Sequence, residues 1–217
     1  TETEADGRVR PGLAVLLQQQ YEYGWPELYP VHRLDKMTSG LVIFALTRQA
    51  AQRFQKLFAT RQVAKYYLAI STDKPKKKQG WVKGDMVPAR RGSWKLATTR
   101  ENPAVTQFIS QSGCPNERWF LLKPHTGKTH QLRVALKSLG APIAGDERYA
   151  ARAAAQLEDR GYLHAYALRF QYDGDDYEFV RRPQQGERFL SEAAEACLNE
   201  WQTPWQFFQP KTERDDG

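Results

Sequence analysis

At 217 residues, with 41% hydrophobic and 26% charged residues, the chain can bury a sizeable core and has the composition of an ordinary globular domain. A formal charge of +7 and a pI near 9.4 favour polyanionic partners, because each neutralised phosphate releases condensed counterions. The apolar runs are all too short for a membrane span, the acidic start Thr1–Asp6 does not read as a signal peptide, and two distant cysteines, Cys114 and Cys197, argue against a disulfide framework or zinc knuckle and suit a reducing compartment, with a cytoplasmic location expected.

Residues 1–12 are polar and close on the turn signal Arg10-Pro11-Gly12. Leu13, Leu16 and Leu17 share a face and predict a short helix from Leu13 to about Tyr21. Trp25-Pro26 through Pro30 reads as loop. A polar stretch, Val31 to Gly40, then runs directly into Leu41-Val42-Ile43-Phe44-Ala45-Leu46, six apolar residues that read as a buried strand. Thr38-Ser39-Gly40 reads as the turn before it, and Asp35 stands at the mouth of that strand on a loop held by a rigid element, where function tends to sit.

Thr47 is a candidate N-cap for a helix through about Arg61, with Ala50, Ala51, Phe54, Leu57 and Phe58 as its apolar stripe. Arg48, Arg53, Lys56 and Arg61 read as its solvated surface. Lys65–Ser71 predicts a second strand. Asp73–Gln79 is an exposed basic loop carrying Lys74, Lys76, Lys77 and Lys78, near Arg90-Arg91 and with Trp81 and Trp94 interleaved, a pattern suited to RNA contact. Strand-like pieces at Lys95–Thr99, Ala104–Ser110 and Arg118–Lys123 suggest an antiparallel meander. A turn at Lys123–Gly127 opens a helix from about Thr129 to Leu139, closed by Gly140. After a loop at Gly145–Tyr149, helix is predicted over Ala150 to about Arg160, strands over Tyr162–Tyr172 and Tyr177–Arg181, and an amphipathic helix over Phe189 to about Trp201; the end of the chain reads as loose.

An aspartate at an arbitrary turn ordinarily ties the turn. The company of Asp35 argues otherwise. His32-Arg33-Leu34-Asp35, two variable residues, Thr38-Ser39-Gly40 and an apolar run resemble the hallmark of the RluA family of RNA pseudouridine synthases. Two more stretches carry the resemblance. Gly127-Lys128-Thr129-His130-Gln131-Leu132-Arg133 resembles the family's Gly-Arg-Thr-His-Gln-Ile-Arg element, and Lys65-Tyr66-Tyr67-Leu68-Ala69 its basic–x–Tyr–x–Ala strand. Weaker markers, Pro103–Thr106, Gly145-Asp146 and Leu163-His164-Ala165, extend it over roughly Val31 to Phe179.

The resemblance implies an isomerase that cuts the N1–C1′ bond of a uridine in RNA and rejoins the base through C5, with no cofactor and no metal. It makes Asp35 the nucleophile, Tyr67 the active-site tyrosine that stacks on the base, and Arg133 the cation that keeps Asp35 ionised, since desolvation alone would favour the protonated acid. Attack at C1′ or at C6 is left open. Arg33 is assigned to a wedge that fills the place of the flipped nucleotide, and His32, Lys65, Lys128, His130 and Leu132 to RNA contact; His32 is also read as an anchor of its loop and His130 as structural support for Arg133. The implied fold is α/β of the α+β type, a single pseudouridine-synthase-like domain with a mixed, largely antiparallel sheet flanked by helices.

Residues 1–30 are expected to be an N-terminal segment, 31–200 the catalytic domain and 201–217 a loose tail. The family's opening strand with its Lys-Pro-Gly turn is not recognisable, which implies residues lost upstream. The expected partner is ribosomal or transfer RNA, with no membrane and no obligate protein partner, for a monomer. A non-catalytic RNA-binding relative would have lost Asp35, Tyr67 or Arg133, and a glycosidase would need a second carboxylate beside Asp35.

Overall fold

The computed structural model describes residues 2–3, 9–10, 12–20 and 27–208. In chain order the strands and helices are β1 (Glu2–Thr3), β2 (Val9–Arg10), α1 (Leu13–Gln20), β3 (Tyr29–Pro30), β4 (Thr38–Gly40), β5 (Phe44–Ala45), α2 (Arg48–Ala59), β6 (Ala64–Ser71), β7 (Gln79–Gly84), β8 (Met86–Pro88), β9 (Trp94–Leu96), β10 (Ala104–Ser112), β11 (Arg118–Pro124), α3 (Gln131–Ser138), α4 (Arg152–Ala155), β12 (Leu163–Tyr172), β13 (Asp175–Val180) and α5 (Glu192–Glu200). The chain divides into two compact units, Thr1–Leu34 with Val42–Gln62, and Asp35–Leu41 with Val63–Gly217.

In the first unit, β1 pairs with β2 and β3 with β5, both antiparallel. Thr47 caps α2 as expected, its hydroxyl accepting from the Ala50 amide, and Ala51 and Phe54 are buried beneath it. His32 anchors its own loop: Nε2 accepts from the Ile43 amide at 2.8 Å, and the ring stacks on Phe58 at 4.9 Å. The loop expected at Trp25-Pro26 lies outside the described residues.

The second unit is organised on a sheet in the order β13-β12-β6-β11-β10-β7, antiparallel throughout, with β4 added parallel to β12. The sheet is mixed and largely antiparallel, as the sequence implied. Alternation along β6 sends Tyr66, Leu68 and Ile70 to one face and Lys65, Tyr67 and Ala69 to the other. Tyr66 packs against Trp205 and Phe208 from the C-terminal region. On the other face Tyr67 lies opposite Leu122, Leu122 opposite Phe108, and α3 docks there, with Gln131 donating to Thr106. The last turn of α3 closes with Gly140 N–H to Lys137 O and Ala141 N–H to Leu136 O, the paired bonds of a Schellman motif.

Several expectations need correction. Leu41–Leu46 is not one buried strand: the chain leaves the sheet after Gly40, the Leu41 and Ile43 amides go to the Ala165 carbonyl and to His32, and Leu46 is exposed. Thr38–Gly40 is itself the strand, and the turn lies one step earlier, at Asp35–Thr38. Gly40 is obligatory there, with φ +107° and a virtual Cβ only 2.2 Å from the Ala165 carbonyl oxygen. The helix predicted over Ala150–Arg160 shrinks to α4, because Ala155 alone of its residues is buried and Leu157 is exposed, leaving no apolar stripe to support a longer helix. Strands β7 and β8 were not anticipated. The last helix starts at Glu192, since the Ser191 hydroxyl caps it, and Phe189 sits in a preceding 3₁₀ turn. Residues 201–208 are packed rather than loose, with Trp201 and Phe208 buried; 209–217 lie outside the described residues.

One polar chain ties β4 to the sheet. Buried His164 must donate from Nε2 to the Arg181 carbonyl at 2.7 Å, which leaves Nδ1 to accept from Ser39 Oγ at 2.7 Å, while Ser39 Oγ accepts from Arg160 at 2.8 Å. Burial, with the charges of Arg160 and Arg181, pushes the imidazole down to about 4. Neutral His164 therefore contributes stability that is complete above the ordinary value of 6.5 and is lost as pH falls through about 4. His164→Asn should lose on the order of 2–3 kcal/mol less stability than the wild type between those limits, read from urea unfolding at a series of pH values. Parallel pH profiles for the two proteins would contradict this assignment.

Candidate active site

Helix α3 buries Leu132, Val134, Ala135 and Leu136, and between them Arg133 is carried into the same low-dielectric layer, 9% exposed. An arginine there needs a partner, and Asp146 is it. Nε and Nη2 of Arg133 donate to the two Asp146 oxygens, both at 2.8 Å, in a bidentate fork. Asp146 is fully buried and also accepts from the amides of Arg148 and Tyr149. Its loop is shaped by Gly145, at φ +75°, where a Cβ would fall 1.9 Å from the Arg160 carbonyl oxygen.

The remaining nitrogen, Nη1, faces Asp35 Oδ2 at 3.5 Å, at the outer limit of a hydrogen bond. Asp35 is held by its backbone, whose carbonyl accepts from Thr38 N–H at 2.8 Å at the start of β4. Its side chain is 22% exposed. Burial alone would lower the Arg133 pKa, but the Asp146 hydrogen bonds and charge, then the Asp35 charge, raise it. The guanidinium is thus a permanent cation fixed by one carboxylate and presented loosely to another, which keeps lone pairs free to attack an electrophile.

Tyr67 joins them from the sheet. It lies opposite Ala165 on β12, whose other neighbour is Gly40 of the Asp35 segment. Burial first, then the negative charge of Asp35, push the phenol far up, so it is a proton donor at neutral pH. Lys65 shares this face two residues away, its ammonium beside Gly127, and burial pushes its pKa down.

Around Arg133 the loop residues play supporting parts. His130 takes the left-handed conformation at the N-cap of α3, φ +56°, and its Nδ1 meets the Tyr149 hydroxyl at 2.8 Å. Tyr149 also accepts from Trp94 N–H at 3.0 Å, and its ring lies 5.0 Å from the Arg133 guanidinium. Burial and then the Arg133 charge hold His130 below the usual histidine range. Gln131 knits the loop: its amide donates to Val105 O and Thr106 Oγ1, and its carbonyl accepts from Thr126 Oγ1 and Lys128 N–H.

Asp35, Tyr67 and Arg133 are thus brought together, with Lys65 and His130 close at hand. Lys128 reaches sideways to Asn102 Oδ1 at 2.9 Å, and Leu132 joins the hydrophobic core, 8% exposed. His32 and Arg33 fall in the first unit, Arg33 exposed. Sequence reasoning missed the roles of Asp146, Gln131 and Tyr149. The Gly145-Asp146 pair was the one available signal, since an acid directly after a strained glycine marks a shaped loop.

The two ion pairs of Arg133 should differ in stability. Asp146→Asn breaks a buried bidentate pair and should cost about 3–5 kcal/mol, whereas Asp35→Asn, acting on a long and partly exposed contact, should cost less than about 1 kcal/mol. Urea unfolding of the two variants at neutral pH measures the difference, and equal losses would refute the asymmetry.

Residues 14–138 match the sequence model of the family described as RNA pseudouridylate synthase. An uncharacterized RNA pseudouridine synthase of Haemophilus influenzae is 51% identical over 179 residues, covering 82% of this chain and 78% of that protein. The dual-specificity RNA pseudouridine synthase RluA of Salmonella typhi is 34% identical over 158 residues, 71% of each chain. In fold, human RNA Pseudouridylate Synthase Domain Containing 1 superposes with a TM-score of 0.67 at 29% identity, covering 77% of this chain and 74% of that one. Human RNA Pseudouridylate Synthase Domain Containing 4 gives 0.65 at 28%, covering 84% and 80%. By sequence and by fold alike, the chain belongs to the RluA family of RNA pseudouridine synthases.

Proposed function

We propose that this isomerase acts through Asp35 as the nucleophile on one uridine flipped out of structured RNA, ribosomal or transfer. The observation that carries the reading is the division of Arg133 between its two carboxylates, tight to Asp146 and 3.5 Å from Asp35, with the Tyr67 phenol on the same face. A carboxylate that is charged, sheltered and not consumed by its cation is what attack on a ribose or pyrimidine carbon requires. In the reaction the N1–C1′ bond breaks, the base turns, C5–C1′ forms, the C5 proton leaves and N1 regains one. No electrons are exchanged and no group leaves the substrate, so the chemistry calls for no redox or phosphoryl carrier.

Arg133 stabilises the charged Asp35, and Tyr67 stacks on the base and assists proton movement. Lys65, Lys128, His130 and Leu132 contribute to holding RNA. Arg33 fills the space vacated by the flipped nucleotide, offsetting a few kcal/mol of unstacking, and His32 holds that loop. The enzyme works as a monomer in the cytoplasm; among the described residues no helix is long and apolar enough to cross a membrane.

Asp35→Asn should abolish tritium release from RNA carrying 5-labelled uridine while RNA affinity stays within about threefold, since the substitution removes charge and not a phosphate contact. Normal turnover by that variant would remove Asp35 from the mechanism. Arg33→Ala should raise KM or slow flipping with an unchanged unfolding midpoint; a destabilised variant would mark Arg33 as structural. Comparing pseudouridine maps of total RNA with and without the gene identifies the target uridine.

A further inference from the structure

Strand β7 is an edge of the sheet, paired with β10 alone among the described strands. Its inward residue Val82 is buried, while Trp81 is 41% exposed and Lys83 is exposed beside it. Lys83 Nζ stands 4.7 Å from the Trp81 ring and the His125 ring lies against it at 4.9 Å, while Lys77 Nζ donates to the Trp81 backbone carbonyl at 2.6 Å and faces the Phe108 ring at 5.9 Å on the other side of the sheet. A cavity of about 410 Å³ at this edge is lined by Lys77, Trp81, Val82, Lys83, Leu96 and Arg100 together with the C-terminal end of α3, with no carboxylate in its wall. Exposed Lys74, Lys76 and Lys78 precede it in the same loop.

The indole itself lies on the far side of the sheet from Tyr67, while the cavity beside it opens around the edge toward α3. Trp81 lies opposite Gln107, and Gln107 opposite Lys123, whose ammonium lies 5.6 Å from the Tyr66 ring. This row therefore runs on the face that Tyr66 occupies, away from Tyr67.

We propose that the β7 edge is a second RNA-contacting surface, which takes a single-stranded nucleotide segment by stacking a base on Trp81 and pairing its phosphates with Lys77, Lys83 and Arg100. The proposal rests on the reading of the chain as an enzyme acting on RNA. An acidic polypeptide would be served by the cations but has no use for an open indole; a nucleotide uses both, since every base has a π face and every link a phosphate. Such a surface would hold a long RNA by a flanking segment while its target uridine occupies the active site.

The test is binding by fluorescence anisotropy, using the full chain and a labelled oligouridylate of about 20 nucleotides, with heparin as a polyanion that lacks bases. Trp81→Ala should weaken oligouridylate binding about tenfold and leave heparin binding unchanged, Trp81→Phe should keep affinity within about threefold, and Lys83→Ala should reduce the salt slope by about one. The proposal is overturned if Trp81→Ala binds the oligonucleotide as the wild type does. It is also overturned if RNA and heparin affinities fall together, the result an acidic-protein site would give, or if the wild type binds no oligonucleotide. Tritium release is read in parallel: Trp81-dependent binding without pseudouridine formation overturns the catalytic reading alone, and pseudouridine formation with Trp81-independent binding overturns this surface alone.

Discussion

A single guanidinium shared unequally between two carboxylates governs the arrangement of the active site. Arg133 is carried into the protein interior by a helix whose neighbouring residues are core, and a buried cation is tolerable only when paired. Asp146 supplies the pairing with ideal geometry and is itself fully buried, its carboxylate further satisfied by two backbone amides. The pair is close to neutral as a unit, so the pull left for Asp35 is that of one outward nitrogen at 3.5 Å.

Close backbone approach makes this geometry possible. Gly40 lets the Asp35 segment lie against Ala165, and Gly145 lets the Asp146 loop lie against Arg160. The Arg160, Ser39 and His164 chain then locks the short strand after Asp35 to the centre of the sheet. Since β12 pairs with β4 on one side and β6 on the other, Tyr67 and the Asp35 segment are positioned by the same strand. Tyr149 extends the network outward, joining the Trp94 backbone to His130 and the Arg133 guanidinium.

The same sheet offers two chemically distinct faces because side chains alternate along each strand. Around Tyr67 the polar groups are few and committed to one another. At the β7 edge, cations are numerous and exposed, and one of them, Lys83, stands over an indole. The first arrangement suits bond making in a sheltered site, and the second suits holding a flexible polyanion.

Much of this was legible in the residues alone. Asp35, Tyr67 and Arg133 stood out because each lies in a short stretch of fixed residue types, and Thr47, β6 and Gly140 followed from capping chemistry and hydrophobic period, which are local properties. What lay beyond reach was set by partners distant in the chain. Nothing near Leu41–Leu46 says that the amides of that run are claimed by Ala165 and His32, so a plausible strand was cut in two. Nothing in Ala150–Arg160 says that its apolar residues find no surface to cover. The hold of Asp146 on Arg133 depends on a backbone turn at Gly145 and on burial, both properties of the folded chain. Residue type and spacing singled out the candidate groups; only tertiary packing decided how one positive charge is divided between two acids, because that division is a matter of distance and dielectric.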